Sequence, residues 1–228
     1  GRGVSPARHP GHNGRVPRLR FATLVLVASV TLARALPVPP AVRRALAAAS
    51  VRIEPTGCAG VLAEGPDIVL TARHCIDAED QTLDVRFTDG STRSARVAAV
   101  DAVADQVVLV LRDPVAVAPL ALVRRRQVPG TVLYFEGNPK RPRFQGARLE
   151  RIGRCESLPG LPNALFTSID GVPGDSGAPL VDVLARVVGL VHGGAGCRIA
   201  TPADTLGRLV DRVLERHLVA APPGPPPG

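Results

Sequence analysis

The chain has no tryptophan, no methionine, one tyrosine and five phenylalanines among 228 residues. Aromatics make up 3% of the sequence and hydrophobic residues 45%. Its core must therefore be built from Val, Leu, Ile and Ala, which suits pleated strands better than aromatic-anchored helices. The apolar run near the start, "FATLVLVASVTLA", has 13 residues, short of the about 20 that a membrane-crossing helix needs. There is no Cys-x-x-Cys pair, and beyond the leader the only histidines are His74, His192 and the helix-borne His217. No metal site and no cofactor are expected.

Acidic residues are missing from positions 1–35, where six arginines lie (Arg2, Arg8, Arg15, Arg18, Arg20 and Arg34). Beyond them 22 basic residues face 20 acidic ones, so the net charge of +8 belongs mostly to the leader. A nucleic-acid partner, which needs a basic face on the folded body, is not expected. Arg15, Arg18 and Arg20 precede the apolar run, and "ARA" (Ala33 to Ala35) has the small-x-small form of a cleavage site. Residues 1–35 thus read as a secretory signal, with translation starting downstream of Gly1. The expected location is extracellular or periplasmic, with no stable membrane association after cleavage. Four cysteines in an oxidising compartment (Cys58, Cys75, Cys155 and Cys197) favour two disulfides, and three connectivities remain open.

Residues 36–50, "LPVPP" followed by the alanine-rich "AVRRALAAAS", read as a linker or short pro-segment with some helical tendency. From Val51 onward, short β-rich runs alternate with Gly, Pro, Asp and Asn. They include "DIVLTA", "LDVRF", "QVVLVLR", "TVLYFE" and "VVGLVH", and their spacing predicts an all-β sandwich or barrel. The segment "DPVAVAPLALVRRRQVPG" divides them into two similar groups. The first barrel is placed at 51–118, a connector at 119–130 and the second barrel at 131–202. Leu206, Leu209, Val210, Val213, Leu214 and Leu218 then recur at helical spacing, predicting an amphipathic helix over 203–218 packed on the second barrel. Residues 219–228, rich in Pro and Gly, are expected to form a disordered tail.

Three residues carry the chemistry. Ser176 lies in "VPGDSGAPLV", weak evidence alone because turns favour Gly, Asp and Ser anyway. His74 follows the strand "DIVLTA", where a histidine can be a plain surface residue. Asp105 opens the buried run "QVVLVL", where an unpaired carboxylate would be costly; its plainer reading is a strand cap. Taken together they form a system. Serine becomes a nucleophile when a base within hydrogen-bond reach takes its proton, and histidine titrates near neutrality. A carboxylate on the far ring nitrogen fixes the tautomer and stabilises the imidazolium. The order His, Asp, Ser argues against an α/β-hydrolase, which places serine first within Gly-x-Ser-x-Gly; Ala178 stands at that second glycine.

"LTARHC", "DQVVLVL" and "GDSGAP" resemble the three motifs of trypsin/chymotrypsin-like serine endopeptidases, and their gaps resemble the compact bacterial secreted branch. The resemblance runs from about Val51 to Leu218. It implies two six-stranded antiparallel β-barrels with a cleft between them. His74 would be the general base, Asp105 its orienting carboxylate and Ser176 the nucleophile, with the backbone N–H groups of Gly174 and Ser176 as the oxyanion hole. It also implies bridges Cys58–Cys75 and, with it, Cys155–Cys197. In bacterial relatives the usual partner of the latter lies six places before the nucleophile, where Asp170 stands here.

Other departures are Arg73 beside the histidine, Ala178, and His192 where a serine usually bonds the aspartate. An imidazole could replace that serine as a donor. Asp170 also stands at the offset of the pocket-floor aspartate of trypsin, which would give a preference for Arg or Lys; His192 resembles the histidine with which glutamate-specific bacterial endopeptidases bind an acidic side chain, and the plainer reading is that both residues are structural. His192, Gly193 and Gly194, in "VHGG", would line the pocket and meet the substrate backbone. Asp175 is expected to pair within the chain, because no Ile-Val-Gly-Gly-like start is present. The sequence thus predicts a monomeric, secreted, cofactor-independent serine endopeptidase that acts on proteins or peptides through an acyl-enzyme. The alternatives are a catalytically inactive homologue serving as a secreted binding module, and a secreted esterase.

Overall fold

A computed structural model describes Gly1, Gly3 and residues 36–79, 81–137, 143–192 and 197–220. The signal-peptide reading, the far end of the Pro/Gly tail, Gly193 and Gly194 lie outside the described residues.

The first barrel comprises β1 (Ser50–Glu54), β2 (Cys58–Leu62), β3 (Ile68–Ala72), β4 (Thr82–Phe87), β5 (Thr92–Asp101) and β6 (Gln106–Leu111). These close into a ring in the order β1-β2-β3-β6-β5-β4. The second comprises β7 (Val132–Gly137), β8 (Arg143–Gly153), β9 (Ala164–Thr167), β10 (Pro179–Val181), β11 (Val187–Val191) and β12 (Ile199–Pro202). Its ring, β7-β8-β9-β12-β11-β10, repeats the first order, and the pairings are antiparallel. The protein is therefore all-β, two six-stranded antiparallel barrels followed by helix α2 (Ala203–Ala220).

Local pattern explains these strands. In β4, Leu83, Val85 and Phe87 point inward while Thr82, Asp84 and Arg86 face solvent, the period-two signature of a half-buried strand. In contrast, β6 is buried along its length, because α2 packs over β5 and β6. The apolar face of α2, Leu206, Leu209, Val210 and Val213, joins the same core cluster as Val107, Leu109 and Leu190. The helix was expected on the second barrel; it lies across both, contacting β5, β6 and β11.

The stretch read as a linker also differs. Pro40–Ala49 forms helix α1, with a proline at its first turn, where no backbone N–H is needed. Val42, Leu46 and Ala49, on one helical face, are buried in the core, and α1 packs against β7. Ahead of it, Leu36 bridges to Gly146 of β8. A side chain on Gly146 would collide with the Leu36 backbone. The segment is thus part of the folded body. Between the barrels, Arg124 ties the β2–β3 turn to α2 through ion pairs with Glu64 (2.7 Å) and Asp211 (2.6 Å).

Candidate active site

β3 is buried throughout and ends in one 3-10 turn, Arg73–Cys75, which brings His74 to the cleft. The Cys58–Cys75 disulfide fastens this turn to the start of β2. Facing it is the turn before β6, where Asp101 Oδ1 accepts the N–H groups of Val103 (3.0 Å) and Ala104 (2.9 Å). Asp105 ends that turn with φ of 54°, a left-handed conformation that aspartate tolerates better than most residues. Its carboxylate then meets the histidine loop twice. His74 N–H donates to Oδ1 at 2.9 Å, and His74 Nδ1 lies 2.7 Å from Oδ2.

A second imidazole shares that oxygen: His192 Nδ1 lies 2.6 Å from Asp105 Oδ2. The rings of His74 and His192 meet edge to face, with centroids 5.2 Å apart. Burial pushes the Asp105 carboxyl up, but hydrogen bonds from His192 and His74, with the charge of His74, outweigh it and hold the group down at about 2. An ionised carboxylate gripped from two sides is what an orienting acid requires.

Ser176 comes from the second barrel. Gly174 (φ 95°) and Gly177 (φ 82°) both take left-handed conformations that favour glycine. Gly177 also abuts the Ala59 carbonyl and the Thr71 hydroxyl, so a side chain there would collide. The loop is fixed across the cleft by Ala59 N–H donating to the Ser176 carbonyl (2.9 Å), and to its own barrel by Gly177 N–H donating to Val191 O (2.8 Å). Among the described residues the N–H groups of Gly174 and Ser176 have no backbone acceptor. Ser176 Oγ donates to the His192 carbonyl at 3.1 Å. It makes no hydrogen bond to His74 among the described residues, so the base and nucleophile expected to touch share a cleft without being bonded.

The expected internal partner of Asp175 is Arg143. Asp175 is fully buried; its Oδ2 accepts from Arg143 Nη2 at 2.6 Å and from Val172 N–H at 2.8 Å. Arg143 also donates to the Asp170 carbonyl at 2.8 Å. No sequence signal separates Arg143 from the other cations, because the contact is made by tertiary placement of β8.

Asp170, expected at a pocket floor, lies at the surface. Its side chain is 74% exposed and faces Arg198 at 3.5 Å. A cavity of about 80 Å³ in the second barrel is lined by Thr167, Ile169, Gly171, Val191, Cys197, Arg198 and Ile199. Its Cys197 is bridged to Cys155. For metals, the ligand atoms of His74, Asp105 and His192 lie within 4.8 Å of one another, but a cation there would displace both histidine–aspartate hydrogen bonds.

Residues 58–190 match the family of the trypsin-like peptidase domain, more than half of the chain, and the chain belongs to that family. Fold and family together define a serine protease of the chymotrypsin type. The solved structure of Deg5 is similar, with a TM-score of 0.64 and 20% identity, covering 76% of this chain and 92% of that one. At that identity the likeness speaks for the fold. No curated protein matches.

Proposed function

We propose that the protein is a secreted serine endopeptidase that cleaves proteins or peptides through an acyl-enzyme, using Ser176, His74 and Asp105. The single observation that carries this reading is the 2.7 Å contact of His74 Nδ1 with the buried Asp105 carboxylate, on the same cleft as the Gly-Asp-Ser-Gly turn. With Nδ1 committed to Asp105, Nε2 is left as the base. Ser176 Oγ turns from the His192 carbonyl, gives its proton to Nε2 and bonds to the scissile carbonyl carbon. The N–H groups of Gly174 and Ser176 receive the oxyanion; loss of one such donor typically costs on the order of 100-fold in rate. Collapse breaks the C–N bond, and His74 returns the proton to the leaving amine. Water then repeats the sequence on the acyl-enzyme.

His192 acts as a positioning residue in this scheme, its ring replacing the serine that usually donates to the aspartate. The leader and the two disulfides support secretion, and the motif gaps support the compact bacterial branch. A monomer, with neither nucleic acid nor a lasting membrane contact, fits the near-neutral body of the chain. The preference for Arg or Lys is not carried forward, since the Asp170 carboxylate lies at the surface.

Covalent labelling by a fluorophosphonate tests the reading. Folded protein should label, and both Ser176→Ala and His74→Ala should abolish it. A second reading, an inactive homologue that binds proteins through the same cleft, is favoured by one observation: Ser176 Oγ rests on the His192 carbonyl rather than on His74. Absence of labelling in folded protein selects it. Turnover of simple esters without turnover of peptides would select an esterase.

A further inference from the structure

We infer that His74, Asp105 and His192 form an inhibitory site for a zinc ion, which silences the serine by taking the Nδ1 side of the base. This rests on the proposed peptidase reading and adds its regulation.

Three donors converge. Asp105 Oδ2 lies 2.7 Å from His74 Nδ1 and 2.6 Å from His192 Nδ1, and ligand atoms of all three groups fall within 4.8 Å of one another. In a tetrahedral zinc complex, with bonds of about 2.0–2.1 Å, donor atoms stand roughly 3.3 Å apart, so each nitrogen–oxygen gap has to widen by about 0.6–0.7 Å. Imidazole χ2 torsions are broad, and small ring rotations supply this, most freely at His74, whose side chain is 43% exposed. Three protein ligands leave the fourth position to water. The second imidazole is what makes a site of the pair, since a serine at 192 would leave only two strong donors.

The frame around the donors does not have to give way. His74 N–H donates to Asp105 Oδ1 at 2.9 Å, and His192 N–H donates to the Ile199 carbonyl at 3.0 Å. Neither bond uses a ring nitrogen or Oδ2, and outer contacts of this kind hold metal ligands in orientation. Two imidazoles with one carboxylate suit zinc and similar transition ions, whereas calcium and magnesium favour oxygen ligands. Cys58 and Cys75 also come near His74, but they are joined as a disulfide and offer no thiolate.

Inhibition follows from where the protons go. A neutral imidazole that donates from Nδ1 to a carboxylate keeps the lone pair of Nε2 free. Zinc needs the Nδ1 pair instead. The Nδ1–H bond breaks, the proton passes through solvent to Nε2 of the same ring, and the pair left on Nδ1 binds the metal. No proton is gained or lost overall. His74 Nε2 then carries a hydrogen and cannot take the one on Ser176. The serine itself is not covered, and its Oγ stays on the His192 carbonyl.

The test uses the full, untagged, disulfide-bonded chain and zinc ions alone. Calorimetric titration should find one zinc bound per chain and no comparable binding of calcium. Ser176→Ala removes no ligand and should bind zinc as the parent does. His192→Ser, and His74→Ala at a half-exposed position, should each weaken zinc binding at least about 100-fold, since losing even an outer contact costs roughly 10–100-fold. Fluorophosphonate labelling of Ser176 should slow at least about 100-fold at saturating zinc, the low end of what a general base contributes, and a chelator should restore it. The rates with and without zinc are compared within each variant, and in His192→Ser they should be alike. No zinc binding, zinc binding that both histidine variants leave intact, equal binding of calcium, or labelling indifferent to bound zinc overturns the inference and leaves the peptidase reading standing. Folded, metal-free protein that never labels overturns the peptidase reading and the inhibition with it, while calorimetry still decides the metal site.

Discussion

Glu136→Gln should make the protein more stable at neutral and alkaline pH. Glu136 lies on β7, 2% exposed, and neither carboxylate oxygen has a hydrogen-bond partner of good geometry. Burial pushes its pKa up from 4.5 to about 7, and the neighbouring Ser50 and Arg43, both from the α1 end of the chain, only partly oppose this. The unfolded chain gives up this proton near 4.5 and the folded one near 7. Between those values the folded state holds more protons, so stability falls as pH rises and then levels off. At 1.36 kcal/mol per unit, the interval corresponds to about 3 kcal/mol, an upper figure because denatured chains retain some structure. The neutral glutamine removes this dependence. Urea unfolding of both proteins at intervals from pH 4 to pH 8 measures it. Stability curves should converge at the acid end and separate by up to about 3 kcal/mol above pH 7, with the variant higher. Parallel curves across the range would refute the reasoning, and would mean that the carboxylate is solvated in solution.

Two further outcomes follow from the site. Arg143→Met strips the guanidinium from the buried Asp175 carboxylate; breaking such a pair costs about 3–5 kcal/mol, with the low end expected because Arg143 is 36% exposed. The urea midpoint should drop accordingly and Arg143→Lys should recover part of it; a loss below about 1 kcal/mol would show that other groups hold Asp175. The Asp105 carboxyl is held at about 2 against 3.8 ordinarily, so its stabilisation is present above pH 3.8 and is lost as pH falls toward 2. That amounts to about 2 kcal/mol; acid unfolding of Asp105→Asn, followed by circular dichroism, should show a flatter limb, and an unchanged limb would remove the two-histidine account of that carboxylate.

Much of the barrel architecture was legible because it is local. The alternation of β4 and the unbroken apolar run of β6 are written in adjacent residues, and turn residues mark their ends. Where sequence reading went astray, the deciding contact was remote. "AVRRALAAAS" looks like a linker because its alanine-rich face is unremarkable until β7 supplies a surface for Val42 and Leu46. The helical face of α2 could be read, but not that it would straddle two barrels. In the candidate site, the flanking motifs single out His74, Asp105 and Ser176, and the structure joins the first two by hydrogen bonds. Arg143 was not, being one of 28 basic residues and selected only by the fold. Asp170 shows the limit of an offset: its distance from Ser176 in sequence is suggestive, while the structure turns its carboxylate toward Arg198 at the surface.

Both rings are wound in the same strand order, yet neither holds all of the groups proposed to react. His74 and Asp105 belong to one, Ser176 and His192 to the other, so the proposed chemistry requires their common wall. Substitutions that tune reactivity without touching those four groups should therefore concentrate in small seam residues. Ala59 grips the serine loop through its backbone, and Ala104 shares a buried apolar cluster with Cys155 and Leu158 from the opposite half. A bulkier side chain at either place would wedge the halves apart and detune the centre while each ring stayed whole.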